Sequence, residues 1–99
     1  MAHLRVWKFR PPRNREEEFA AAYASDGVWA RLFRTGAGFI GTQLLRPAEA
    51  GGWWMTLDRW ESQAAFEAFQ ADRGESYREL DAELEGCAGD EDFVGAFEE

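Results

Sequence analysis

The sequence predicts an α+β chain of ferredoxin-like βαββαβ order, a four-stranded antiparallel sheet with helices on one face. Three observations predict it. Strand-like apolar runs lie at 3–9, 39–45, 53–60 and 93–97. Helix-periodic stretches follow the first and third of them. The two halves also resemble each other, each closing on a short aromatic motif, Gly38-Phe39-Ile40-Gly41 or Asp92-Phe93-Val94-Gly95. Right-handed crossovers then place both helices on the same side of the sheet.

In the first strand, Leu4 and Val6 share one face while Trp7 and Phe9 take the other. Pro11 and Pro12 end it, because neither has an N–H for a ladder. Asn14 and Glu17 have the spacing of a capping box, and Glu16 to Glu18 suit the positive end of a helix. Phe19 and Tyr23 mark its buried stripe, and Gly27 is expected as a left-handed C-terminal stop. A shorter helical piece repeats Val28 and Leu32, and Trp29 and Phe33, at intervals of four.

Gly36, Gly38 and Gly41 lead into the second strand, and a turn over 47–52 makes strands two and three a hairpin. Trp53, Met55 and Leu57 are expected on one face of the third strand, with Trp54, Thr56 and Trp60 on the other. Ser62 caps the next helix, in which Ala65, Phe66 and Phe69 form the stripe. Gly74 is expected to break it. A further helical piece over 75–85 presents Tyr77, Leu80 and Leu84, a polar connector spans 86–92, and the last strand follows.

The 99 residues, 1–99, read as one domain with an unusual aromatic load: eight Phe, five Trp and two Tyr. A net charge of −8 argues against nucleic-acid partners and anionic membrane surfaces. A lone Cys87 excludes an internal disulfide, and no run has the length of a membrane span. The expectation is a cytoplasmic protein.

Helices shelter only one sheet face, yet the strands read apolar on both. Several of Trp7, Phe9, Phe39, Ile40, Trp53, Trp54 and Trp60 are therefore expected on the uncovered side. A second copy of the sheet is the simplest cover, which predicts a two-fold homodimer through that face.

Gly27-Val28-Trp29-Ala30-Arg31-Leu32-Phe33-Arg34, Gly38-Phe39-Ile40-Gly41-Thr42-Gln43-Leu44-Leu45 and Asp58-Arg59-Trp60-Glu61-Ser62, with Phe66 and Phe69, together resemble the antibiotic biosynthesis monooxygenase family. The resemblance implies the dimeric α/β barrel and a superfamily of mixed activities: quinone-forming monooxygenases, haem degraders and small isomerases. The haem-degrading relatives carry an Asn on the first strand, a Trp in the helix after the third strand and a later His. Val6 and Phe69 stand at the first two places, and His3 is the only imidazole. Trp60 matches the tryptophan of the metal- and flavin-free monooxygenases, whose Asn- and Tyr-like partners correspond to Thr56 and Phe66.

The candidate pocket lies between sheet and helices. Trp60, Phe66, Phe69, Trp7 and Phe39 are its expected wall, and Arg34 or Tyr77 its polar contact. Two of these have a plainer reading: Trp60 packs where strand meets helix, and Arg34, with Arg31, is solvated or paired with surface acids. No metal or other cofactor is expected, because His3 has no second imidazole and Asp81 with Glu85 lack further ligands. Two functions follow. One is a cofactor-independent oxygenase acting on a hydrophobic aromatic small molecule. The other is a non-catalytic dimeric module that binds a small ligand or serves as scaffold.

Overall fold

A computed structural model describes residues 2–99. Strands β1 (His3–Arg10), β2 (Phe39–Leu45), β3 (Trp54–Trp60) and β4 (Asp90–Glu98) form one sheet of order β2-β3-β1-β4, every neighbouring pair antiparallel. Helices α1 (Glu16–Tyr23), α2 (Val28–Phe33) and α3 (Gln63–Ala88) supply the second layer. This is the ferredoxin-like arrangement. β3 inserts between β2 and β1, and β1 between β3 and β4.

The register decides which rings meet the helices. Phe9 pairs with Trp54, Trp7 with Thr56, and Trp60 with both His3 and Phe39, so these side chains share one face. That face packs on the helices. Trp60 meets Phe33, Phe66 and Phe69, while Phe9 and Trp54 meet Phe19. The expectation that several of these aromatics lie on the uncovered side is therefore corrected. Trp7, Phe9, Phe39, Trp54 and Trp60 all turn inward, because the pleat gives them one parity. Trp53 precedes β3 and is held by Lys8 and Arg10, whose cationic groups lie 4.7 and 4.4 Å from its ring. Ile40 sits at an irregularity in the β2–β3 register and is 55% exposed.

The outer face is mainly aliphatic, with Phe97 as its ring on β4. Leu4, Val6, Met55, Leu57, Leu45 and Phe97 share it through the pairs Leu4–Phe97, Val6–Leu57 and Leu45–Met55. Leu45 and Phe97 remain 42% and 49% exposed.

Local details depart from the sequence reading in four places. Asn14 does not cap α1. The two prolines feed a 3₁₀ turn, Arg13–Arg15, and Arg15 stands at the cap position with its guanidinium on Glu18 at 2.7 Å. Gly27 is extended (φ −77°), not left-handed. It begins α2, and a Cβ there would run into the Ala22 carbonyl oxygen, so close approach accounts for the glycine. Gly74 kinks α3 without ending it, since the non-helical residue is Arg73 (φ −119°, ψ 18°). The expected connector over 86–92 is helix and strand: α3 reaches Ala88, and β4 starts at Asp90. Only Gly89 lies between them, at φ 66° and against the Arg10 carbonyl, where the missing Cβ permits so abrupt a turn. Ser62 caps α3 as expected, accepting from the Ala65 N–H at 3.0 Å.

Candidate active site

The alternation of β3 sends Trp54, Thr56, Asp58 and Trp60 to the helix side, all buried. Three of these are ordinary for such a position; Asp58 is not, because carboxylates are rarely buried without a partner. Its neighbours explain how it is tolerated. Thr42, opposite on β2, donates from Oγ1 to Asp58 Oδ1 at 2.5 Å. Arg5 stands opposite on β1. The Arg5 guanidinium lies 4.0 Å over the Phe66 ring and 4.7 Å over Phe93, which hold it in place. Burial dominates Asp58 and raises its pKa to about 6, against the smaller opposing effects of the Thr42 hydrogen bond and the Arg5 charge.

Asp58 lines a half-open cavity of about 150 Å³. Trp7 and Phe9 from β1, Tyr23 from α1, Trp29 and Phe33 from α2 and Tyr77 from α3 form its aromatic wall. Thr42 and Thr56 stand beside Asp58, and Asp81 and Glu91 complete the lining. The kink before Gly74 precedes the part of α3 that carries Tyr77 and Asp81. Burial, with Asp81 and Asp58 nearby, pushes the Tyr77 phenol up to about 12, so it stays protonated and can donate.

Of the residues named from sequence, Trp7 and Tyr77 line this cavity. Trp60, Phe66, Phe69 and Phe39 do not. They pack around Trp60, which is wholly buried, with Phe39, Phe66 and Phe69 centroids 5.1 to 5.7 Å from it. Arg34 is exposed and donates to the Ser25 carbonyl at 2.8 Å, bracing the loop between α1 and α2. Asp58, Trp29 and Tyr23 were not among those candidates. The signal for Asp58 was present, as a carboxylate in phase with Trp54, Thr56 and Trp60 on an otherwise apolar strand face.

The antibiotic biosynthesis monooxygenase family model matches residues 3–79. The chain belongs to this family. Solved structures agree on its fold. SnoaB of Streptomyces nogalater, described as a cofactor-independent oxygenase and solved as a point mutant, superposes with a TM-score of 0.72 at 20% identity. The match covers 99% of this chain and 92% of SnoaB. The Mycobacterium tuberculosis haem degrader MhuD, solved with two haems in its active site, gives a TM-score of 0.62 at 22% identity, covering 98% and 94% of the two chains. A conserved protein of Methanosarcina mazei gives 0.71 at 14% identity, covering 100% and 93%. No curated protein sequence matches the chain.

Within this monooxygenase family, the cavity described above does not suit haem. Its lining contains no His, Cys or Met to take the iron, burial keeps the phenols of Tyr23 and Tyr77 protonated rather than free as phenolate ligands, and His3 is buried elsewhere with Nδ1 at 2.6 Å from Glu98. Among the described residues no cluster of three or more His, Cys, Asp or Glu is arranged to hold a metal ion, and no helix is long and apolar enough to cross a membrane.

Proposed function

We propose that the chain is a cofactor-independent oxygenase for a small acidic aromatic compound, a phenol or an anthrone-like ring, with Asp58 as general base. One observation carries this reading: a single buried carboxyl group, its pKa raised to about 6, set into an aromatic cavity. A base poised near neutral pH is ionised in use yet basic enough to accept a proton in the transition state.

The chemistry follows from that placement. The rings of Trp7, Trp29 and Tyr77 hold the substrate ring, and Asp58 removes its acidic proton. The Tyr77 hydroxyl donates to the resulting anion. The electron-rich anion passes one electron to dioxygen, and the two radicals combine to form a C–O bond. Asp58 returns its proton to the peroxide anion, and the hydroperoxide then loses water by cleavage of its O–O bond as the remaining C–H proton leaves. For a phenol the sum is phenol plus O₂ giving quinone plus water. One oxygen atom ends in the new carbonyl, the other in water, and the substrate supplies all four electrons. A cavity of about 150 Å³ is below the roughly 300–1,000 Å³ of many ligand sites, but matches the volume that takes a single benzene ring. One ring enters and the remainder of a larger substrate extends through the open side.

The active form in this reading is a homodimer joined through the outer sheet face. The exposed Leu45 and Phe97 flank the buried Leu4 and Val6 there, giving an apolar surface that a second copy would cover. The buried, unpaired thiol of Cys87 fits a cytoplasmic, reducing setting.

Oxygen uptake with a panel of phenols and anthrones tests the proposal. Consumption lost in Asp58→Asn supports it; no consumption across the panel by the purified wild-type protein would sink it.

A further inference from the structure

The cavity is acidic as well as aromatic. Its lining contains three carboxylates, Asp58, Asp81 and Glu91, and no Lys, Arg or His. None of the three takes part in an ion pair among the described residues. They come from different elements: Asp58 from β3, Asp81 from α3 and Glu91 from β4. Asp58 is buried, whereas Asp81 and Glu91 are exposed, so they form the rim of the opening. Glu91 pairs with Phe9 in the ladder, which places it on the helix-facing side of the sheet. Burial together with the negative charges of Asp81 and Glu85 raises its pKa, so Asp81 and Glu91 feel each other across the opening. They do not close on a metal ion. Trp29, 7% exposed, adds to the wall beside Tyr23.

Aromatic faces with unpaired carboxylates at an open end are the chemistry that recognises an organic ammonium group. A ligand that carries a carboxylate on its chain would meet repulsion from the Asp81 and Glu91 rim. The geometry points to a cationic ligand: an aromatic compound bearing a basic amine, its ring against Trp7 and Trp29 and its ammonium at the Asp81–Glu91 rim. This names the substrate class of the same cavity, and so rests on the reading of that cavity as the ligand site. The negative charge of the rim also favours encounter with a cation over encounter with an anion.

Three probes with one ring and one chain length separate charge from shape: tyramine, 4-ethylphenol and 4-hydroxyphenylacetate, titrated calorimetrically at low salt. The expected order is cation, then neutral, then anion, with about tenfold between the ends. In Asp81→Asn/Glu91→Gln that spread collapses to about twofold. In Glu83→Gln, which removes an exposed charge away from the cavity, it persists. Equal or tighter binding of the anion overturns the proposal, as does an unchanged order in the double variant. So does the same collapse in Glu83→Gln, which would make overall charge the cause. Binding of none of the probes at millimolar concentration would overturn both this inference and the ligand site beneath it. Ordered binding without oxygen consumption would overturn only the oxygenase reading; oxygen consumption without charge order would overturn only this one.

Discussion

Thr42 and Asp58 face each other across the β2–β3 ladder, and the threonine hydroxyl donates to one carboxylate oxygen at 2.5 Å. That bond favours the ionised form and so opposes the burial that raises the pKa of Asp58. Thr42→Val removes the donor while keeping the shape. The acid limb of the pH–rate profile should then move to higher pH, with the rate at pH 8 falling much less than at pH 6. An unmoved limb would mean that Thr42 does not tune this carboxylate.

Asp58→Asn keeps the size and removes the base. Oxygen consumption should fall about 10²- to 10⁴-fold, and the acid limb near pH 6 should vanish from the remaining rate. Steady-state oxygen-electrode measurements from pH 5 to 8 check this. A surviving limb near 6 would assign it to another group.

The same carboxyl group affects stability. Its pKa is higher folded, about 6, than the ordinary 3.8 of an unfolded aspartate. The protonated form therefore favours the fold: the contribution is complete below about 3.8 and is lost as pH rises through about 6. The loss is on the order of 3 kcal/mol. Chemical denaturation at pH 4 and pH 7 should show wild type losing more stability than Asp58→Asn over that interval. Parallel losses in the two proteins would contradict the assignment.

Trp60 is wholly buried among Phe33, Phe39, Phe66 and Phe69, and its indole N–H makes no hydrogen bond. Trp60→Ala should cost about 3–5 kcal/mol. Trp60→Phe should cost clearly less, because no hydrogen bond is lost and much of the volume remains. Equilibrium urea unfolding gives both values. Similar losses would show that the indole has a polar role at this position.

Leu45 and Phe97 are half-exposed on the outer sheet face. The double variant Leu45→Glu/Phe97→Glu should leave each protomer folded by circular dichroism but shift its mass in sedimentation from the dimer to the 11.3 kDa single chain. A wild-type protein that already sediments as one chain at micromolar concentration would exclude the dimer.

Much of this fold is legible in the sequence because its signals are local. Ser62 caps α3 where the pattern places it, and the strand runs at Phe39 and Trp54 fall where alternation puts them. What local pattern does not tell is which parity meets the helices. That is a property of the register between β1 and β3, and it sends Trp7, Trp54 and Trp60 inward together. Gly27 shows the same limit in another form, for its role depends on the Ala22 carbonyl packed against it and not on its own φ. The candidate site was half visible. Trp7 is readable as a wall residue and Tyr77 as a polar contact, whereas Asp58 carries its meaning only once burial removes it from water. Arg34 had the right chemistry, but its short link to Ser25 turns it toward a loop.

On the inward face of β3 two polar rungs, Thr56 and Asp58, are bracketed by two indoles, Trp54 and Trp60. Point replacement of either polar rung leaves the indoles at both ends in place, so the polarity of the cavity can change while the architecture stays intact. A one-residue slip of the whole strand's register would instead turn Leu57 and Arg59 inward and the indoles out. Fold and pocket lining thus answer to different letters of one seven-residue strand.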